Sequence, residues 1–228
     1  DIYNAIKRDA LLENIVIDKN NNIDFSDSSK TPNSRVSYPL EHIYKRVISG
    51  KGDHPNIIIF LTCDAFGVLP PVSKLNLKQA SEQFLAGYTA KIAGTERGVT
   101  EPQAVFSSCF GKPFLLMHPT KYAQILENKI KKHNAKAYLV NTGWSGGPYG
   151  VGKRISLKNT RAIIDAILDH SIEKAPTEIF EKFGFEIPTE LPGVNSEILN
   201  PKNTWENKYE YDDARDKLIS LYEKNKNI

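Results

Sequence analysis

The sequence predicts an α/β chain, a mixed sheet flanked by helices. Three observations carry that prediction. Residues 56–62 (Asn-Ile-Ile-Ile-Phe-Leu-Thr) and 137–140 (Ala-Tyr-Leu-Val) are short, nearly continuous apolar runs, as in a strand covered on both faces. Helical stripes lie between and after them, cleanest over 119–133, where Tyr122, Ile125, Leu126 and Ile130 share one face. The 228 residues are 40% hydrophobic and 25% charged, with the two signs well mixed, which suits a packed core and not a disordered tail.

In chain order, Ile2, Ala5, Ile6, Leu11 and Leu12 recur near helical spacing and predict a first helix ending near Asn14. Extended pieces at 14–18 and 22–25 flank a polar Lys-Asn-Asn-Asn stretch and predict a β-hairpin. Residues 27–33 are loop, and 35–38 form a short extended piece stopped by Pro39. The loop at 50–55, with two glycines and a proline, leads into the first buried strand. Residues 75–92 read as one helix, with Leu77, Ala80, Phe84, Leu85 and Tyr88 on its stripe. Loop follows at 94–102 and irregular chain at 106–113. Pro119 suits the first turn of the helix over 119–133. A glycine-rich loop spans 141–153, and a helix over 158–170 turns Ile163, Ile164, Ile167 and Leu168 inward. Residues 188–192 are rigid loop, and a charged helix over 211–225 closes the chain. No repeat and no linker-like stretch divides it, so it reads as one α/β unit. It starts at Asp1, without Met and already in helical spacing, which reads as a piece of a longer protein.

Composition narrows the function classes. Lys and Arg total 30 against 27 Asp and Glu, a net charge of +3. So small an excess argues weakly for nucleic acid and suits an anionic small molecule equally well. No apolar run approaches the roughly 18–20 residues of a membrane span, and no signal-peptide pattern opens the chain. Cys63 and Cys109 lie far apart and make no disulfide framework, so a reducing cytoplasm is the expected compartment. There is no CxxC or HExxH zinc pattern, and the five histidines show no ligand spacing.

The stretches that could carry chemistry are few. Gly147 to Lys153 fits the G-x-x-x-x-G-K part of a phosphate loop, but Arg154 stands where Ser or Thr should hold Mg²⁺, and Pro148 removes an amide donor. The loop could instead present Lys153 and Arg154 to a nucleotide, or be a plain surface turn. Ser156 and Thr160, near the start of the next helix, read as caps. Arg35 sits in a polar extended stretch, suited to phosphate or carboxylate, although a lone loop arginine is more often a surface residue. Asp64 ends the first strand, where ligand sites gather in open α/β sheets; it could equally bind turn amides. Glu96 and Arg97 could pair with each other. Cys109 lacks a His or Asn partner pattern and reads as a buried thiol. Asp212 and Asp213 are expected to precede the last helix and complement its dipole.

Taken together, the motifs resemble the ATP-dependent phosphoenolpyruvate carboxykinases. The resemblance rests on Ile-Tyr-Asn-Ala-Ile-Lys-Arg-Asp-Ala-Leu-Leu-Glu-Asn at 2–14, Arg-Val-Ser-Tyr-Pro at 35–39 and Asp-Ala-Phe-Gly-Val-Leu-Pro-Pro at 64–71. It continues through Ala-Lys-Ile-Ala-Gly-Thr-Glu at 90–96, Asn-Thr-Gly-Trp at 141–144, Gly-Lys-Arg-Ile at 152–155 and Ile-Pro-Thr-Glu-Leu-Pro-Gly-Val at 187–194. The motifs run in order over essentially the whole chain. The family enzyme is about twice as long, and the resemblance is to its C-terminal, nucleotide-binding portion, so 1–228 is expected to be an incomplete domain. The family's phosphate loop and metal ligands lie upstream. What the resemblance implies is a reaction of oxaloacetate and ATP to phosphoenolpyruvate, ADP and CO₂, within gluconeogenesis, using Mg²⁺ and Mn²⁺. It implies that Arg35 contacts the transferring phosphoryl group, that Arg154 and Ile155 hold the adenine, and that Thr160 is a further nucleotide contact. The implied partners are the nucleotide, oxaloacetate or phosphoenolpyruvate, and the N-terminal half of the same enzyme. The alternative is a non-catalytic nucleotide- or partner-binding module derived from that fold.

Overall fold

The computed structural model describes residues 2–30, 34–92 and 98–225. These fall into two compact units, one of residues 1–54 with 92–101 and the other of 55–91 with 102–228. The single unit expected from sequence is therefore corrected. The first boundary lies at the end of the Gly- and Pro-bearing loop at 50–55, where backbone freedom lets a chain leave one compact body for another.

The first unit is small. Helix α1 covers only Ile2–Ala5, and the strands are β1 (Leu11–Glu13), β2 (Val16–Ile17), β3 (Ile23–Asp24) and β4 (Arg35–Ser37). The helix expected to reach Asn14 stops early, and residues 11–13 pair antiparallel with β4 instead. Asp9 (φ 74°) and Asn14 (φ 58°) flank β1 in the left-handed region, which no continuing helix tolerates. Tertiary pairing overrides the helical spacing here. The expected hairpin is present as β2 and β3, with Val16 opposite Asp24. Its loop is tied by Asp18, whose Oδ1 accepts from the amides of Asn20 and Asn22, both at 2.8 Å. Only Ala5 and Ile15 are buried among the described residues of this unit.

The second unit carries β5 (Ile57–Thr62), β6 (Val72–Leu75), α2 (Leu77–Ala86), β7 (Tyr88–Lys91), β8 (Gln103–Phe106), α3 (Pro119–His133) and β9 (Lys136–Asn141). It continues with β10 (Trp144–Ser145), β11 (Lys153–Arg154), α4 (Leu157–Leu168), β12 (Thr177–Phe180), β13 (Phe185–Pro188), α5 (Pro201–Thr204) and α6 (Lys208–Asn225). Five strands form one mixed sheet in the order β12-β13-β6-β9-β5. β5 and β9 run parallel, with Ile57 opposite Lys136. β6 is antiparallel to β9, and β12 and β13 form a hairpin on the far side.

The sheet separates two cores, as strand alternation requires. Leu139 and Ala137 of β9 point to one face, with Phe60, Phe185, Tyr211, Leu218 and Tyr222. Tyr138 and Val140 point to the other, under Ile163, Ala166 and Ile167 of α4. Each fully buried side chain of this size contributes about 1.5–3 kcal/mol. This is the mixed, helix-flanked sheet that the sequence predicts.

Several details differ from the sequence reading. The helix expected over 75–92 is a strand end, a ten-residue helix and a second strand. Asn76 and Gln79 start α2 with reciprocal side-chain caps at 2.9 Å. Gly87 (φ 53°) ends it, where a Cβ would lie 1.8 Å from the Ser107 carbonyl oxygen. Tyr88 therefore belongs to β7, and it packs as a strand residue beside Phe106 and Tyr222. α3 runs Pro119–His133 as expected, but its buried side chains are Ala123 and Ile130, while Ile125 is exposed. Leu168 of α4 is exposed as well. The α6 helix starts at Lys208, so Asp212 and Asp213 lie inside it, and Asp212 bonds Lys202 (2.9 Å) and Arg215 (2.7 Å). β12 and β13 have no counterpart in the sequence reading.

One buried polar atom lacks a partner among the described residues, the Oγ of Ser73 on β6. A buried hydroxyl without a hydrogen bond costs about 1–3 kcal/mol. Ser73→Ala is expected to leave stability unchanged or raise it by about 1 kcal/mol, read as the midpoint of urea unfolding. A clear loss of stability would mean that the hydroxyl finds a partner.

Candidate functional site

β5 and β9 are parallel neighbours, and both end on the same side of the sheet. Ligand crevices in open α/β sheets form outside such carboxyl ends. Here the loops 63–71 and 142–156 meet there, and two buried side chains bind them together. Asp64, fully buried, accepts from the amides of Phe66 (2.9 Å), Val68 (2.7 Å) and Leu69 (2.8 Å) and from the Tyr88 hydroxyl (2.7 Å). Burial pushes its carboxyl above the usual range, and those four donors pull against the shift. Asn141 accepts at Oδ1 from the amides of Asp64 (3.0 Å) and Gly143 (2.8 Å) and donates from Nδ2 to the Leu69 carbonyl (2.8 Å). The two sequence alternatives for Asp64 are thereby separated: its oxygens are spent on turn amides.

The second loop is fastened to the first. Trp144 donates its amide to the Asp64 carbonyl at 2.9 Å, and Ile155 donates to the Gly143 carbonyl at 2.8 Å. A Cβ on Gly143 would lie 2.2 Å from the Asp64 carbonyl oxygen, so only glycine permits this approach. The strands β10 and β11 then set Trp144 opposite Arg154. Arg154 Nε donates to the Thr142 carbonyl at 3.0 Å, and Nη2 lies 3.8 Å from the Cys63 sulfur. The guanidinium carbon lies 5.4 Å from the centroid of the Trp144 ring. Arg154 is thus fixed from three sides while its side chain stays exposed. Burial pushes the Cys63 thiol up, with the Arg154 charge opposing that shift.

The near-match to a phosphate loop at 147–153 has a different use. The Tyr149 amide goes to the Ala65 carbonyl (2.9 Å), and the amides of Val151 (3.0 Å) and Gly152 (2.8 Å) both go to the Pro148 carbonyl. Donors consumed within the turn do not cradle a phosphate.

A cleft of about 900 Å³ opens beside this loop, lined among others by Arg154, Ile155, Asn159, Trp205, Asn207 and Glu210. Ile155 is buried to 8% exposure and shows the cleft an apolar edge. Ser156 caps α4, accepting from the Asn159 amide at 3.2 Å, as expected. Thr160 is half-buried in the first turn of α4 and does not line the cleft. Arg35 lies on β4 of the first unit, exposed and opposite Glu13. Cys109 is half-buried, its sulfur 3.7 Å from the Pro119 carbonyl. Glu96 and Arg97 lie outside the described residues. Asn141 and Trp144 were not assigned roles from sequence. The available signal was the Asn-Thr-Gly-Trp run at 141–144, in which Asn141 ends the buried strand and Trp144 follows a glycine.

Comparison with known proteins gives a family model described as phosphoenolpyruvate carboxykinase, matching residues 1–197. The phosphoenolpyruvate carboxykinase (ATP) of Campylobacter jejuni subsp. jejuni serotype O:23/36 (strain 81-176) is 60% identical over 225 residues, 99% of this chain and 43% of that protein. Proteins of the same name from Campylobacter lari (57%) and Sulfurimonas denitrificans (54%) cover the same shares. The chain spans less than half the length of the curated relatives it matches.

Proposed function

The chain belongs to the phosphoenolpyruvate carboxykinase family, and from that premise we propose that it is the C-terminal, nucleotide-facing portion of the ATP-dependent enzyme. The reaction proposed for the whole protein has two steps. The C–C bond to one carboxylate of oxaloacetate breaks, releasing CO₂ and leaving the electron pair on an enolate. The enolate oxygen then bonds to the γ-phosphorus of ATP as the bond to the β–γ bridging oxygen breaks, giving phosphoenolpyruvate and ADP. This is the chemistry of gluconeogenesis, in a cytoplasmic compartment compatible with two free cysteines. No helix of the described residues is long and apolar enough to cross a membrane.

Arg154 supports this reading most directly. A planar guanidinium held at Nε by the Thr142 carbonyl and set over Trp144 is a preorganised stacking surface. In the proposal it stacks on the adenine, Ile155 adds apolar contact, and Thr160 contacts the nucleotide further along α4. Arg35 neutralises charge on the oxygens of the phosphoryl group in flight. Mg²⁺ and Mn²⁺ are the metals the family resemblance implies. Among the described residues no three His, Cys, Asp or Glu side chains gather as a metal-holding group, so none of the roles above is routed through a metal. The phosphate loop and metal ligands belong, on this reading, to the N-terminal half, and the 228 residues alone are expected to be inactive.

Arg154→Ala in the full-length enzyme is expected to weaken ATP binding by about 1–2 kcal/mol, some 5–30-fold. Its turnover at saturating ATP should change little. Calorimetric titration with ATP checks this, and an unchanged affinity would remove Arg154 from the nucleotide site.

A further inference from the structure

The loop at 146–152 is phosphate-loop-like in sequence, yet the amides of Tyr149, Val151 and Gly152 are consumed within the fold. What the loop brings to the site is a side chain. Tyr149 sets its ring edge-on to that of Trp144, with centroids 5.5 Å apart and planes at 85°. Trp144 in turn carries Arg154, whose guanidinium carbon lies 5.4 Å from the indole centroid. The three side chains form a stack that runs from the loop, through the indole, to the arginine.

The two aromatic layers are anchored without any ligand. Trp144 is 9% exposed, and its amide donates to the Asp64 carbonyl at 2.9 Å. The Tyr149 amide donates to the Ala65 carbonyl at 2.9 Å. Next to it, a Cβ on Gly67 would lie 2.1 Å from the Gly147 carbonyl oxygen, so the loop is seated directly on the backbone of residues 65–67. Arg154 is the layer with rotamers to lose, because its side chain is long and exposed. The bond from Nε to the Thr142 carbonyl fixes one point of the guanidinium, and the contact with the Cys63 sulfur, at 3.8 Å, adds little. The indole face is what sets the plane of the guanidinium.

We propose that Trp144 and Tyr149 are positioning residues, which together preset the plane of Arg154 so that a purine base meets a guanidinium already oriented. The proposal rests on the reading that Arg154 stacks on the adenine, and it gives the loop at 146–152 its function there. An arginine ordered only when the nucleotide arrives binds about 2–10-fold more weakly, the cost of immobilising one long side chain. That cost falls on binding the base and not on the transfer step.

The test uses the full-length enzyme. Trp144→Leu removes the indole face, and Tyr149→Ala removes the outer ring from a position that is 45% exposed. Each is expected to raise the KM and the calorimetric Kd for ATP about 2–10-fold, with kcat within about twofold of the wild type. Trp144→Phe keeps an aromatic face and should recover most of the affinity. Inorganic triphosphate, which has no base, should compete equally well for the wild type and for all three variants. In an Arg154→Ala background, Trp144→Leu and Tyr149→Ala should have no further effect, because they act through that guanidinium. Full additivity there would overturn the proposal, and so would wild-type ATP affinity in both single variants. Weaker competition by triphosphate would overturn it too, since the site as a whole would then be damaged. Arg154→Ala alone separates this idea from the reading beneath it. Unchanged ATP affinity in that variant rejects the adenine role of Arg154 itself. Weakened affinity there, beside unaffected Trp144→Leu and Tyr149→Ala, rejects the positioning role alone.

Discussion

Asp64→Ala is expected to destabilise the second unit by on the order of 3–5 kcal/mol, enough to leave much of the protein unfolded. The side chain is fully buried and holds three backbone amides and one tyrosine hydroxyl. Removing it strands four donors, of which those of Val68, Leu69 and Tyr88 are buried and the Phe66 amide is part-buried. Asp64→Asn should cost less but still more than about 1 kcal/mol, because its NH₂ group would face amides that also donate. Chemical unfolding of both variants in the full-length enzyme reads the effect. The damage should spread to nucleotide binding, since the Asp64 amide and carbonyl contact Asn141 and Trp144. A stable Asp64→Asn variant that loses turnover alone would instead put Asp64 in the chemistry.

Arg35→Ala should do the reverse. Arg35 is exposed at an edge of a two-stranded ladder, so stability should stay within about 0.5 kcal/mol. If it stabilises the transferring phosphoryl group, turnover should fall on the order of a hundredfold or more, as when a single donor to developing negative charge is lost. Arg35→Lys should recover only part of that loss, because an ammonium keeps the charge but not the planar fork. Steady-state kinetics with ATP and oxaloacetate checks both. A near-normal rate for Arg35→Ala would sink the assignment.

The two variants mark different kinds of legibility. Arg35 reveals little in its local surroundings, and the role proposed for it comes from the ordered resemblance of motifs. Asp64 is the opposite: its position at a strand end left two readings open, and only the hydrogen bonds separate them. The misread segments share one cause. Residues 2–14 and 75–92 both carry apolar side chains near helical spacing, and in both a left-handed residue, Asp9 or Gly87, breaks the run. Spacing reports which side chains are apolar; it does not report where a backbone can turn.

By itself the sequence determined the α/β class, the two buried apolar runs, the helix from Pro119 and the family, because these depend on local periodicity and on ordered motifs. The tertiary structure alone decided the division into two units and the fastening of loops 63–71 and 142–156 by Asp64 and Asn141. It also decided the posture of Arg154 over Trp144 and the place of β5 at an edge. Each of these depends on groups brought together from distant parts of the chain, such as Asp64 and Asn141, 77 residues apart. Hydrogen bonds and steric limits between such groups exist only once the sheet has assembled.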